Sequence, residues 1–110
     1  MTLSTHVLDA GRGCPAVGVS VTLHRRIGAD WQLLGVGSTD DDGRIAALAP
    51  NGLEAGVHRL DFDTGAYFAA TDQTGFYPEV QVTFDIADPD RHYHVPLLLS
   101  PYAFSTYRGS

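Results

Sequence analysis

Strict alternation of apolar and polar residues limits what this chain can fold into. Val17, Val19, Val21 and Leu23 are interleaved with Gly18, Ser20, Thr22 and His24, and Val80, Val82, Phe84 and Ile86 with Glu79, Gln81, Thr83 and Asp85. Successive side chains on a strand point to opposite faces, so these segments read as strands with one face in a core and the other toward solvent. Segments 5–9, 31–36, 44–48, 57–62, 92–99 and 102–107 carry weaker forms of the pattern. That makes about eight short strands separated by turn signals at close spacing, the mark of a sandwich or barrel.

The breaks between strands have their own chemistry. Asp42-Gly43 suits a tight hairpin joining the 31–36 and 44–48 strands, and Asn51-Gly52 supplies a positive-φ position in a loop. Residues 64–71, Thr-Gly-Ala-Tyr-Phe-Ala-Ala-Thr, interrupt the alternation. Thr64 there is positioned to cap a helix of one or two turns that ends before Gly75 and Pro78. Two four-stranded antiparallel sheets packed face to face fit this count, an all-β sandwich with one short helix and a core built from the inner faces. A chain of 110 residues closes one such core but not two, so residues 1–110 are expected to form a single domain.

Composition narrows the partners. All seven basic residues are Arg and thirteen carboxylates leave a net charge of −6, so a phosphate backbone would be repelled and nucleic acid is not an expected partner. No apolar run reaches the length of a bilayer, and a membrane is not expected either. Thr2 and Ser4 ahead of the strand-like Val7-Leu8 do not read as a secretory signal, which makes the cytoplasm the expected location. Cys14 stands alone, without the partner an intrachain disulfide or a Cys-rich metal site needs, and reads as a small hydrophobe.

His92 and His94 are two residues apart, so on a strand both imidazoles project from one face while Tyr93 and Val95 project from the other. Such a pair can bind a metal or share proton transfer, although a solvated strand end after Asp88-Pro89-Asp90-Arg91 is the commoner outcome. Zinc needs at least one more ligand, and the available one is His6, which leaves His6, His92 and His94 as a speculative metal set. His6 shares a strand face with Leu8, where a histidine is more often structural than catalytic. His24 falls on the polar face of its strand and is expected to be solvated. His58, in phase with Leu60 and Phe62, is expected to be a hydrogen-bonded core residue.

Arg44 opens a strand whose next residue on the same face is only Ala46, so its guanidinium has room beside it for a planar ligand with carbonyl or carboxylate oxygens. The plainer alternative is a surface ion pair with Asp40, Asp41 or Asp42, aspartates that lack the spacing of a calcium loop. There is no Gly-x-Ser-x-Gly elbow, phosphate-cradling loop or Cys/His nucleophile pair. What remains is a set of histidines, arginines and a tyrosine suited to activating water and stabilising charge on an oxygen.

The end of the chain is unusually rich in such groups. From His92 to Ser110 it carries imidazoles, phenols, a guanidinium and hydroxyls, with Leu97-Leu98-Leu99, Tyr102 and Phe104 reading as strand that ties the tail down. This stretch and Thr5-His6-Val7-Leu8-Asp9 together resemble the transthyretin-like 5-hydroxyisourate hydrolases, whose chains end in Tyr-Arg-Gly-Ser. The resemblance extends over essentially the whole chain and implies the transthyretin fold. It further implies a site made of His6, Arg44, His94 and Tyr107-Arg108-Gly109-Ser110.

The implied reaction is hydrolysis of the six-membered ring of 5-hydroxyisourate to 2-oxo-4-hydroxy-4-carboxy-5-ureidoimidazoline, one step after urate oxidation and without a cofactor. In that reading His6 and His94 orient and deprotonate water, Arg44 and Arg108 hold the ligand's oxygens, Tyr107 walls the planar ring with Gly109 beside it, and Ser110 or its carboxylate fixes the tail. The family also implies a homotetramer with sites in a channel between dimers. Thyroid-hormone-carrying transthyretins share the fold and the Leu-Leu-Ser-Pro-Tyr stretch but lack these histidines and the terminal tetrapeptide. A non-catalytic carrier of a small aromatic ligand is therefore the alternative. Ala103 stands where many relatives have Gly, a change that an extended strand tolerates unless φ is positive.

Overall fold

Alternation translates directly into which strand faces are buried. In a computed structural model, which describes residues 2–109, the elements are β1 (Leu3–Asp9), β2 (Cys14–Pro15), β3 (Ser20–Ile27), β4 (Asp30–Ser38), β5 (Arg44–Ile45), β6 (Gly56–Phe62), α1 (Thr64–Ala70), β7 (Val80–Ile86), β8 (Tyr93–Ser100) and β9 (Ala103–Thr106). One sheet runs β2-β1-β8-β9 with β5 also on β1, and the other runs β4-β3-β6-β7. Leu3, Val7, Leu97 and Leu99 from the first sheet meet Val21, Leu23, Leu60 and Phe62 from the second in one buried cluster. The sandwich, the two sheets and the short helix are as expected.

Several details differ from the expectation. The first sheet has five strands rather than four, because the two-residue β2 and β5 both join β1. It also contains one parallel pair, β1 with β8, in register from Leu3↔Tyr93 to Asp9↔Leu99. Parallel neighbours need a long crossover, and the whole second sheet with α1 supplies it. β3 starts at Ser20, so Val17 precedes it and is 47% exposed, whereas Val19, Val21 and Leu23 are fully buried. The cap of α1 is Asp63, which accepts the Ala66 amide at 3.1 Å. Thr64 is instead buried and donates its hydroxyl to the Tyr77 carbonyl at 2.7 Å.

The Asp42-Gly43 turn does not close a hairpin between β4 and β5. β4 pairs with β3, and β5 crosses to the other sheet to pair with β1; residues 46–48 leave the ladder. Gly43 has φ +75°, donates to the Asp40 carbonyl at 2.9 Å, and packs where a Cβ would collide with the Val7 carbonyl. Asp40 Oδ1 accepts the amides of Asp42 and Arg44, each at 2.9 Å. The Arg44 bond is the main reason the Asp40 carboxyl titrates below its ordinary range. The turn is thus a staple that delivers Arg44 to β1.

A buried carboxylate ties the helix to the same strand. Asp9, fully buried, accepts Tyr67 Oη at 2.7 Å, Gln73 Nε2 at 3.1 Å and the Arg12 amide at 2.9 Å. Burial alone would raise the Asp9 pKa, but these hydrogen bonds to its charged form outweigh it and the net shift is downward. Tyr67 is pushed up to about 12, first by burial and then by its bond to Asp9.

The two remaining histidines part company. His58 is fully buried as expected, with Nδ1 at 2.9 Å from the Gly56 carbonyl and its ring 6.0 Å from that of Phe84. His24 is half-buried rather than solvated: it is the ladder partner of Arg59 on β6, with the Asp61 carboxylate beside it. Arg59 grips Asp61 with two bonds of 2.8 and 3.1 Å, and His24 Nδ1 sits 3.6 Å from the same carboxylate. Among the described residues no helix is long and apolar enough to cross a membrane.

Candidate active site

Two strand pairings bring together three residues that are far apart in the chain. On β1 the residues Leu3, Thr5, Val7 and Asp9 point inward, which turns Ser4 and His6 outward. The parallel ladder puts Ser4 beside His94, and the antiparallel β5 puts Arg44 opposite His6. Directly paired residues share a face of the sheet, so His6, Arg44 and His94 lie on one outer surface with Ser4 among them.

Each ring is held by a specific partner. His6 Nε2 lies 2.9 Å from the Asp42 carbonyl. A carbonyl only accepts, so Nε2 carries the hydrogen, and Nδ1 is the basic nitrogen of the neutral ring. His94 Nδ1 lies 2.8 Å from Ser4 Oγ, which is also 3.1 Å from His92 Nε2. His94 titrates below the ordinary imidazole value. Burial is the main cause, the positive charges of Arg44, His6 and His92 add to it, and hydrogen bonding with Ser4 partly opposes it. It is therefore a neutral ring at neutral pH.

Arg44 is exposed, and its backbone amide, not its guanidinium, bonds Asp40. Among the described residues no ion pair engages the Arg44 guanidinium, so the expected alternative of a surface pair with Asp40, Asp41 or Asp42 does not form.

The tail returns to the same histidine. β9 pairs with β8 from Leu97↔Thr106 to Ser100↔Ala103, and Thr106 Oγ1 donates to the Pro96 carbonyl at 2.7 Å. Ala103 sits within β9 without positive φ, so its methyl group is accommodated. Gly109 then donates its amide to the His94 carbonyl at 2.8 Å. A Cβ on Gly109 would come 2.5 Å from His94 Cδ2, which explains the need for glycine there. Tyr107, Arg108 and His94 border a cavity of about 230 Å³ whose apolar wall includes Val82 and Phe84 of β7. Arg108 lies over the Tyr93 ring at 5.0 Å rather than beside Arg44. Ser110 falls outside the described residues.

The speculative metal set does not assemble. His92 and His94 both turn a ring nitrogen to Ser4, and among the described residues no group of three His, Cys, Asp or Glu side chains is arranged to hold a metal ion. The outer face thus offers two imidazoles with a basic nitrogen each and an unpaired guanidinium, a set able to take a proton from water and stabilise an oxyanion. Sequence reasoning missed Ser4 and Thr2, the hydroxyls that hold His94 and His92. The signal for Ser4 was its place two residues before His6 on the same strand face.

The family model described as the HIUase/Transthyretin family matches residues 3–109. The 5-hydroxyisourate hydrolase of Salmonella typhimurium is 50% identical over 109 residues, covering 98% of this chain and 80% of that protein. The solved 5-hydroxyisourate hydrolase of Klebsiella pneumoniae superposes with a TM-score of 0.89 at 42% identity, covering both chains in full. Sea bream transthyretin in complex with thyroxine superposes with a TM-score of 0.91 at 35% identity, covering 99% of this chain and 95% of that one.

Proposed function

This chain belongs to the HIUase/transthyretin family, and we propose that it hydrolyses 5-hydroxyisourate with His94 as the base that activates water. The enzyme assignment rests on relatives named 5-hydroxyisourate hydrolase at up to 50% identity across nearly all of the chain. The single observation that carries the mechanism is the convergence of His6, His94 and Arg44, whose guanidinium has no ion-pair partner among the described residues, on one sheet face.

In this reading His94 Nε2 takes a proton from water as the water oxygen bonds to a ring carbonyl carbon of the substrate. The depressed basicity of His94 supports the choice, since the ring stays neutral and ready at neutral pH. His6 orients the water through Nδ1 while the Asp42 carbonyl holds its other nitrogen. Arg44 binds the carbonyl oxygen and stabilises the charge that grows on it. Arg108 and Tyr107 hold and wall the planar ligand, and Gly109 lets the tail pass close to His94. The ring C–N bond then breaks, giving 2-oxo-4-hydroxy-4-carboxy-5-ureidoimidazoline without a cofactor.

The same proposal includes a homotetramer with sites between dimers. Support comes from a site that lies on an open sheet face, with Tyr107 still 58% exposed in one chain; a neighbouring copy would close it. A single domain spanning residues 1–110 and a cytoplasmic location, consistent with the free Cys14, complete the reading. Light scattering on the purified protein tests the tetramer.

The likeness to thyroxine-bound transthyretin keeps a carrier as the second reading. The discriminating experiment generates 5-hydroxyisourate in situ from urate with a uricase and follows its ultraviolet absorbance with catalytic amounts of this protein. Accelerated decay supports the hydrolase, and stoichiometric binding without acceleration supports the carrier.

A further inference from the structure

A continuous line of hydroxyls and imidazoles runs from the surface to His94. Thr2 Oγ1 lies 2.6 Å from His92 Nδ1, His92 Nε2 lies 3.1 Å from Ser4 Oγ, and Ser4 Oγ lies 2.8 Å from His94 Nδ1. His92 is exposed, whereas Ser4 and His94 are half-buried. The backbone enforces the arrangement, because Ser4 is the ladder partner of His94 and residue 92 projects from the same face two positions earlier. A hydroxyl donates one hydrogen while accepting another, and an imidazole can gain a proton at one nitrogen as it releases one from the other. Every link in the line can therefore pass a proton on.

We propose that Ser4 and His92 form a proton relay serving His94, an inference that rests on the reading of His94 as the base. As His94 Nε2 takes a proton from the attacking water, the hydrogen on its Nδ1 moves to Ser4 Oγ and the Ser4 hydroxyl hydrogen moves to His92 Nε2. His94 and Ser4 end neutral and His92 ends as the imidazolium. The water oxygen has meanwhile bonded to the carbonyl carbon, and the carbonyl electron pair has moved to the oxygen beside Arg44 as an oxyanion. One proton has crossed from water to His92 and one negative charge has appeared on the adduct. When the oxyanion collapses, the ring C–N bond breaks and its electron pair stays on nitrogen, which takes a proton as the relay runs in reverse.

The placement has a physical advantage. A positive charge on His94 would sit half-buried near Arg44 and His6, both of which oppose it. On His92 the same charge faces solvent, which lowers its cost. Ser4 acts as a positioning and relay residue and does not touch the substrate.

The test compares Ser4→Ala, Ser4→Thr and His92→Ala with the parent protein and with His94→Ala. The relay predicts that Ser4→Ala and His92→Ala lower kcat by about 10- to 100-fold with KM little changed, less than the ~10²- to 10⁴-fold of losing the base itself because His94 remains, and that Ser4→Thr restores most of it. Free imidazole in the buffer should raise kcat of His92→Ala with concentration but leave Ser4→Ala unimproved. A ring nitrogen-15 spectrum gives a readout independent of turnover: the hydrogen on His94 should sit on Nδ1 and lose its protection from exchange in Ser4→Ala. Parental kcat in His92→Ala, a loss that imidazole leaves untouched, or a His94 hydrogen on Nε2 would each overturn the relay. An active His94→Ala would instead overturn the base assignment, so the two failures are distinguishable.

Discussion

Gly109 rests against the imidazole of His94. Its amide donates to the His94 carbonyl at 2.8 Å, and a Cβ built on it would meet the ring at Cδ2, Cγ and the His94 Cβ. The tail is thus fitted to a catalytic candidate from an adjacent strand, and the fit depends on a missing side chain.

Gly109→Ala is expected to displace the ring from Ser4 and lower kcat by about 10- to 100-fold, the scale of a misplacement near 1 Å at a reacting group. Thermal melting should hardly change, because Gly109 lies outside the core cluster. Steady-state kinetics beside a melting curve checks both halves. A lower melting temperature with intact kcat would mean that the contact is only structural.

Arg44 is free to meet a ligand beside His6. Among the described residues no ion pair engages its guanidinium, whereas Arg59 grips Asp61 and Arg25 reaches Glu54 at 2.7 Å, and Arg44 lies opposite His6 on the outer face. Arg44→Lys keeps the charge but loses the planar fork. A loss of about 10²-fold in kcat is expected, the scale of a removed oxyanion donor, with unfolding by urea unaltered.

Because burial and the neighbouring charges of Arg44, His6 and His92 hold the His94 pKa below the ordinary 6.5, its basic form persists to lower pH than a free imidazole would. The rate should stay level as pH drops from 8 through 6.5 and decline only below it. A profile of kcat/KM against pH checks this, and an inflection above 6.5 would remove His94 as the base.

Stability should follow pH with the same sign through His58. Burial lowers its pKa below 6.5 in the folded protein, so the unfolded chain binds the proton first. The stability associated with the neutral ring is fully present above about pH 6.5 and is lost as pH falls through the folded-state value. Urea midpoints measured between pH 8 and 5 should decline on the acid side, and His58→Gln should flatten that decline.

Tyr67→Phe leaves the buried Asp9 carboxylate without its shortest hydrogen bond. A loss of about 1–3 kcal/mol is expected, the usual cost of stripping a partner from a buried polar group, with the bonds from Gln73 and Arg12 still holding the charge. The urea midpoint should fall with the slope of the transition unchanged, and turnover of the remaining folded protein should be close to normal.

Much of this was legible in the chain, and the gaps have physical causes. Val80 to Ile86 form β7 as their alternation predicts, and His58 is buried because it shares the phase of Leu60 and Phe62. Alternation is a local property that says which face a residue takes but not which strand lies beside it. The parallel β1–β8 pairing joins residues 90 apart, and with it the place of Ser4 between two imidazoles stayed hidden. The crossing of β5 to the first sheet was missed for the same reason, since Asp-Gly also serves a staple between sheets. Asp63 and Thr64 are both good capping residues, and only the burial of Thr64 against Tyr77 decides between them. His6, Arg44 and His94 came from the family resemblance, because each taken alone looks like an ordinary surface residue.

Catalysis at this sheet face is proposed to depend on His94. The most direct test follows the absorbance of freshly generated 5-hydroxyisourate with catalytic amounts of the parent protein and of His94→Ala, each confirmed folded by its melting curve. Decay well beyond the spontaneous rate is expected with the parent, and a loss of about 10²- to 10⁴-fold with the variant. Decay equally fast with both proteins would contradict it.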